Sequence, residues 1–256
     1  PNLGLVGHVN RIFTLSSGDL ICVAAGDDIS LPNRTSRLFQ EWSHCDPTPW
    51  LLHSRAIKID ENGHEKGDFA PDVSLQKTGV PRLLDLIKSQ KNGIGATFSI
   101  DRRLITYYGK LPYFAEIEDR PLFFRAAASG TIAYIDDVLV LYRLGGISDR
   151  TEQDDTYRIL FGDRIKFLSW KVSSTRCLLD DMSGLGVFPE KQTCIQIARR
   201  LVDIGALEID LSRKNAFQLL LMFPRASLLS LRLTSFKPIR LLMKYCAHHM
   251  GAKVVR

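Results

Sequence analysis

The sequence predicts an α/β fold, and two observations support that prediction. Residues 20–25 form a short, unbroken apolar run between turn residues, which is typical of a strand buried on both faces of a sheet. Residues 10–17 before it and 34–42 after it repeat apolar side chains at helical spacing, and helix–strand–helix is the α/β order. At 256 residues and 45% hydrophobic content, the chain can build a core without disulfides.

Turn residues separate further short segments beyond this first unit. The alternation in residues 50–69 predicts two antiparallel strands, with a tight turn at Asn62-Gly63. Two apolar runs on either side of Asp136-Asp137 predict a second strand pair, with these acids in the turn. Helical spacing predicts helices over 81–90, 102–108 and 121–128, over most of 152–205, and over 212–250.

The character of the sequence changes near Ser148, where the mixed pattern gives way to a helical one. We therefore predict an α/β domain over residues 1–148 and a helical region with a basic tail over 149–256. Residues 1–210 carry 25 basic and 28 acidic side chains, whereas residues 211–256 carry nine basic and no acidic ones. The cations of this tail alternate with leucines and not with glycines or stacking aromatics, so no nucleic-acid partner is predicted.

The basic tail, residues 211–256, fits two interpretations. Its leucines and cations suit a helix lying on an anionic bilayer surface, which would be a peripheral membrane contact. Alternatively, the leucines pack on the first domain and the arginines face solvent. The five cysteines are scattered and never spaced C-x-x-C, which favours a reducing compartment. We therefore expect a cytoplasmic protein, located at the inner face of the cell membrane if the bilayer interpretation holds.

Two acidic pairs are the candidates for chemistry. Asp27-Asp28 directly follows the apolar run, at the strand end where open α/β sheets bind ligands. Its carboxylates could hold Mg²⁺ or Mn²⁺, or Asp28 could simply cap the next helix. Glu118-Asp119 precedes the helix predicted from residue 121. A carboxylate there could take a proton from a hydroxyl nucleophile, or could only complement the helix dipole.

A series of short motifs occurs in order over residues 1–148. They are Asn2-Leu3-Gly4, Asn10-Arg11, Ser17-Gly18-Asp19-Leu20-Ile21, Gly26-Asp27-Asp28 with Pro32-Asn33-Arg34, Gly95-Ala96, Arg102-Arg103, Gly109-Lys110-Leu111-Pro112, Glu118-Asp119-Arg120-Pro121-Leu122, Arg125, Gly130 and Tyr142-Arg143. In order and spacing this set resembles the family 2 glycosyltransferases of the GT-A fold. The resemblance implies a Rossmann-like mixed sheet flanked by helices.

The resemblance also implies an activity and a set of roles. The activity would be transfer of a sugar from a nucleoside-diphosphate-sugar donor to an acceptor hydroxyl, with inversion, in cell-surface polysaccharide or lipopolysaccharide biosynthesis. The acceptor would be a glycan or a lipid-linked glycan. Asp28 would bind Mg²⁺ or Mn²⁺, Asp27 would lie near the donor ribose and Asn10 near the donor pocket. Asp119 would be the general base, with Glu118 beside it.

The sequence departs from the family pattern in three respects. After Tyr142-Arg143 many members of the family have a histidine, in some a metal ligand, whereas Leu144-Gly145-Gly146 stands here. Ala25 stands where the family has the first Asp of its Asp-x-Asp motif. The family's first strand, with its nucleobase-binding acids, precedes the position that matches Pro1, so the resemblance implies that this nucleotide-binding strand is missing here. An alternative function is therefore a non-catalytic fragment that binds glycan or membrane. A third is a metal-dependent phosphohydrolase that uses the same acids.

Overall fold

The computed structural model describes residues 2–79, 82–145, 163–186, 190–212, 218, 221–233 and 237–249. Within these residues the chain has a mixed α/β fold, which confirms the predicted class. The helices are α1 (Gly4–Leu15), α2 (Arg34–His44), α3 (Leu83–Ser89), α4 (Arg102–Tyr108), α5 (Asp119–Ser129), α6 (Asp163–Gly184), α7 (Lys191–Ser212), α8 (Phe223–Arg232) and α9 (Lys237–His249). The strands are β1 (Leu20–Cys22), β2 (Ile29–Ser30), β3 (Leu51–Ile59), β4 (Glu65–Phe69), β5 (Ser99–Asp101) and β6 (Ile132–Arg143).

The strands form one mixed sheet in the order β1-β5-β3-β6-β2, and β4 pairs with the second half of β3. β3 and β6 are parallel, whereas β5 runs antiparallel to both β1 and β3. β1, β3 and β6 therefore point in the same direction. The residues that follow β1 and the end of β6 consequently lie at the same edge of the sheet, which is where ligands bind in open α/β folds.

The predicted turn at Asp136-Asp137 is wrong, because both residues lie inside the single strand Ile132–Arg143. The register of this strand against β3 shifts at these acids, so they form a bulge. The bulge is exposed and its charges are paired. Arg55 on β3 lies 3.6 Å from Asp136, and Arg37 on α2 lies 2.7 Å from Asp137. The cations on neighbouring elements let the strand continue past residues whose sequence pattern suggests a break.

Other predicted elements are confirmed with shifted ends. The first helix begins at Gly4 instead of residue 10, and the apolar run 20–25 forms a strand only as far as Cys22. The antiparallel pair in 50–69 and the helix over 102–108 are present. The predicted domain boundary near Ser148 lies in 146–162, outside the described residues.

The first half of the helical region shares its core with the α/β part, and the second half forms a cluster of its own. The main hydrophobic cluster joins the sheet and α3–α5 to α6 and α7, through residues such as Leu51, Phe98, Phe123, Leu178 and Ala198. A second cluster joins the end of α7 to α8 and α9. Its buried members are Ile204, Leu207, Leu211, Met222, Ala226, Leu241, Leu242 and Tyr245. Part of the leucine content of the tail is therefore buried, but against α7 and within the tail itself instead of against residues 1–148.

Candidate functional site

Arg143 fixes the acidic turn that follows β1. β2 pairs antiparallel with the end of β6, which brings Asp28 against the backbone of Arg143. The Arg143 amide donates to Asp28 Oδ1 at 2.8 Å, and its guanidinium donates to the carbonyl of Asp27 at 2.9 Å. The same guanidinium binds the carbonyls of Asp60 and Glu61 at 2.7 and 2.8 Å. The turn is thus held between β6 and the β3–β4 hairpin.

One oxygen of the Asp28 carboxylate is available to a ligand. Asp28 Oδ2 is buried and has no hydrogen-bond partner among the residues that the structure describes. Burial raises the pKa of Asp28, the Arg143 amide opposes this, and the charge of Asp27 raises it further. A nearby cation favours the charged form of such a carboxyl. Together with the exposed Asp27, Asp28 fits a hard divalent ion that takes one or two carboxylates and completes its shell with phosphate oxygens and water.

Arg34 is a buried cation behind this turn. Its Nη2 donates to the carbonyls of Val23 at 2.6 Å and Ala96 at 3.0 Å, and its Nη1 donates to Ser30 Oγ at 2.8 Å. Burial lowers its pKa, and the charge of Asp28 opposes that effect. Arg34 therefore ties the end of β1 to the turn Gly95–Thr97 and places positive charge near Asp28.

The second acidic pair begins α5 and packs against that same turn. Asp119 Oδ2 accepts a hydrogen bond from Asn92 Nδ2 at 3.0 Å, and Oδ1 accepts one from the Arg120 amide at 2.6 Å. Gly95 lies so close that a Cβ on it would stand 2.7 Å from the Cβ of Asp119. Any side chain at residue 95 would push Asp119 away, so the glycine determines where this carboxylate lies.

Both carboxyls of the second pair are poised to hold a proton. Burial, followed by the negative charge of Asp119, raises the pKa of Glu118 to about 7. Burial also raises the pKa of Asp119, although the Arg120 cation opposes it. Two adjacent half-buried carboxyls with raised pKa values are typical of general acid or base sites.

The turn Gly95–Thr97 connects the two acidic pairs. The positive charge of Arg34 acts on Asp28, and Arg34 also donates a hydrogen bond to the Ala96 carbonyl. Asp119 packs against Gly95, the residue before Ala96. Asp28 and Asp119 are 91 positions apart in the sequence. Arg34 and the turn Gly95–Thr97 link the surroundings of one carboxylate to those of the other.

Asn10, predicted near the donor pocket, is buried and fully engaged elsewhere. Its Nδ2 donates to the Leu111 carbonyl and its Oδ1 accepts from the Leu111 amide, both at 2.8 Å. The observed role of this side chain is to fasten the loop after α4 to α1. A contact between Asn10 and a donor stays a prediction.

Sequence reasoning did not assign four residues that define this site. They are Arg34, Asn92, Arg120 and Arg143. Arg34, Arg120 and Arg143 occur within the motifs that carry the resemblance, so that pattern contained their signal. Asn92 belongs to no motif, and its role follows only from the hydrogen bond to Asp119.

Two cavities of the structure lie away from the acidic pairs. One, of about 800 Å³, lies at the start of β1 and is lined by Trp42, Trp50 and Tyr107 among others. The other, of about 230 Å³, lies beside His53 and Phe123. The acidic pairs line neither of these two cavities.

No family model matches the chain, and a search of curated proteins gives no significant match. Within the described parts of the chain, no three His, Cys, Asp or Glu side chains come together as a metal site. No described helix is long and apolar enough to cross a membrane.

Proposed function

We propose that this chain has a GT-A-type glycosyltransferase site, which transfers a sugar from a nucleoside diphosphate to an acceptor hydroxyl with inversion. The observation that carries the proposal is the link between the two acidic pairs, in which Arg34 lies near Asp28 and binds the turn Gly95–Thr97, and Asp119 packs against Gly95. One carboxylate has an oxygen available for a cation, and the other has a raised pKa that suits a base. The order of motifs over residues 1–148 is the second support.

The two acidic pairs would divide the chemistry. Asp119, held by Asn92 and the Arg120 amide, would accept the proton of the acceptor hydroxyl as that oxygen attacks the sugar. Asp28, with Asp27 beside it, would hold Mg²⁺ or Mn²⁺ through Oδ2. The ion supplies positive charge that neutralises the departing diphosphate. Attack opposite the leaving group inverts the anomeric carbon.

We expect turnover of a nucleotide sugar to require Mg²⁺ or Mn²⁺, and Asp28→Asn to reduce it at least about a hundredfold, as loss of an electrostatic partner of the leaving group does. The measurement is release of nucleoside diphosphate from UDP-, GDP- and dTDP-sugars by the full chain, with and without acceptor glycans. Titration of Mn²⁺ should also show weaker metal binding by Asp28→Asn.

Asp136→Asn is the matched control, since Asp136 also belongs to an adjacent acidic pair but lies in the exposed bulge of β6. It should retain full turnover. Equal activity of the Asp28 and Asp136 variants would exclude the metal role of Asp28. Release of phosphate without any need for an acceptor would favour the phosphohydrolase instead.

The second candidate function, docking on an anionic membrane surface, is favoured by the surface of α8 and α9. Four large apolar side chains are strongly exposed there, namely Leu221, Leu228, Leu231 and Met243. The same stretch carries Lys237, Arg240 and Lys244 and no acidic residue, whereas its Arg225 and Arg232 pair with Asp210 and Asp203 of α7. Apolar side chains that enter the interface, with cations attracted to anionic lipid, are the pattern of interfacial helices. Each cation near the surface contributes roughly 1 kcal/mol.

Leu228→Asp combined with Leu231→Asp is expected to abolish sedimentation with phosphatidylserine-containing vesicles, because it puts charge where apolar side chains would enter the lipid. Vesicles of phosphatidylcholine alone should bind the unmodified chain weakly. The matched control is Leu15→Asp, since Leu15 is equally exposed but lies at the end of α1. If Leu15→Asp loses vesicle binding to the same extent, or if the unmodified chain binds neither kind of vesicle, α8 and α9 do not form a membrane-binding surface.

A further inference from the structure

A groove at the opposite end of β1 from the acidic turn has its own recognition features. Asp101, on its wall, pairs with Leu20 at the first residue of β1, whereas Asp27-Asp28 follows the last. The groove has a volume of about 800 Å³, within the range of ligand sites. The groove is therefore separate from the residues of the proposed transferase site, and those residues do not explain it.

Aromatic rings form one corner of this groove. Trp50 and Tyr107 meet nearly at right angles, with interplanar angle 81° and ring centroids 5.9 Å apart. Tyr107 is 57% exposed. The Arg103 guanidinium stacks over the Trp50 ring at 5.4 Å. Trp42, from α2, contributes a third ring to the lining. Rings held at fixed angles offer flat apolar platforms to a ligand at little entropic expense.

A buried carboxylate holds the polar part of the groove rigid. Asp101, 4% exposed, accepts from Trp42 Nε1 at 2.9 Å and from the Arg103 side chain at 2.8 and 2.9 Å. Arg102 donates to the Gly18 carbonyl at 2.8 Å. Its Nη2 is buried and finds no acceptor within the described residues. These bonds fix the wall of the groove, and they already occupy both oxygens of Asp101.

We propose that this groove binds a neutral carbohydrate, with a pyranose ring stacked on the exposed ring of Tyr107. A pyranose presents C–H groups on its flat face and hydroxyls around its rim. The face suits the aromatic ring, and the hydroxyls suit the polar lining groups Asp19, Thr48 and Thr106. This site is distinct from the proposed transferase site. It would bind a glycan whether or not the protein is an active enzyme.

The charge of the groove favours a neutral ligand over an anionic one. The carboxylates of Asp19 and Asp101 balance the guanidiniums of Arg102 and Arg103, so the charges of its ionised lining groups sum to zero. Arg103 is also already paired with Asp101 through both carboxylate oxygens. A phosphate or a nucleic-acid strand would meet no excess positive charge there.

The test is a fluorescence titration of the full chain with neutral oligosaccharides, reading the tryptophans that line the groove. The probes are cellohexaose, maltohexaose and chitohexaose, together with an array of neutral glycans. We expect saturable binding of at least one glycan, weakened about tenfold by Tyr107→Ala through loss of one stacking contact. Thr106→Arg, a second variant on the groove wall, should also weaken binding by filling the groove. The titration contains no nucleotide-sugar donor, so its result is independent of any transferase activity.

Tyr113→Ala is the matched control, because Tyr113 is 80% exposed and does not line the groove. It should bind as the unmodified chain does, with an unchanged circular dichroism spectrum. The proposal is overturned if no neutral glycan binds, or if both groove variants bind as tightly as the control. Heparin or oligothymidylate binding that depends on Tyr107, without neutral-glycan binding, overturns it as well.

Discussion

Asp119→Asn is expected to lower the rate of sugar transfer by about 10²–10⁴, the contribution of a general base, while leaving the fold intact. An amide cannot take the proton of the acceptor hydroxyl. It has the same shape, and its oxygen can still accept from the Arg120 amide or Asn92. Burial already disfavours the charged form of this carboxyl and raises its pKa. A neutral amide there relieves the burial penalty but removes a negative charge from beside the buried Arg120, so urea denaturation of the variant accompanies the rate measurement.

The same assignment fixes the sign of the pH dependence. A base acts only when deprotonated, so raised pKa values mean that activity increases with pH. Burial and the charge of Asp119 raise the pKa of Glu118 to about 7, so the adjacent pair gains its second charge only near neutrality. We expect kcat/KM to rise as pH increases and to level off above about 7. Initial rates across pH 5–9, in buffers of constant ionic strength, check this.

Asp137→Asn is the control for these measurements, because Asp137 is an exposed acid that pairs with Arg37 in the β6 bulge. Its rate and pH profile should match those of the unmodified chain. Asp119→Asn with normal turnover, or a profile that falls from pH 5 to 7, would remove Asp119 from the role of base.

The sequence could predict where the acidic turn lies because the rule behind it is local. A short apolar run ending in Gly-Asp-Asp predicts a strand followed by a ligand-binding turn, and Asp28 does follow β1. Pattern alone failed at Asp136, where two exposed acids interrupt the apolar spacing of β6. The strand continues because cations from α2 and β3 pair with them, and those partners are tens of residues away in sequence.

The packing around Asp119 could not be predicted in this way. Gly95 is 24 positions before Asp119, and nothing in a single sequence shows that the absence of its Cβ makes room for that carboxylate. The hydrogen bond from Asn92 depends on the same fold of the chain. Such contacts form only once the chain has folded, so they leave no local signal. Strand and helix patterns, in contrast, can be recognised from the spacing of neighbouring residues.

Arg125→Met is expected to reduce the free energy of unfolding by about 3–5 kcal/mol, the effect of breaking a buried ion pair from one side. Arg125 is 2% exposed and joins α5 to α6 through both oxygens of Asp181, at 2.8 and 3.0 Å. It also donates to the Gly109 carbonyl at 3.1 Å and stacks over the Tyr108 ring. Methionine keeps the volume but leaves Asp181 buried without its cation. Urea denaturation at neutral pH measures the loss.

Two further variants separate this ion pair from a general packing defect. Arg37→Met removes a cation that binds two acids, Glu41 and Asp137, at the surface. We expect this variant to lose at most about 1 kcal/mol of its free energy of unfolding. Arg125→Met with Asp181→Leu removes both buried charges and should recover part of the lost stability, because an apolar pair needs no counter-charge. If Arg125→Met is no more harmful than Arg37→Met, or the double variant is less stable than the single one, the pair does not hold α5 on α6.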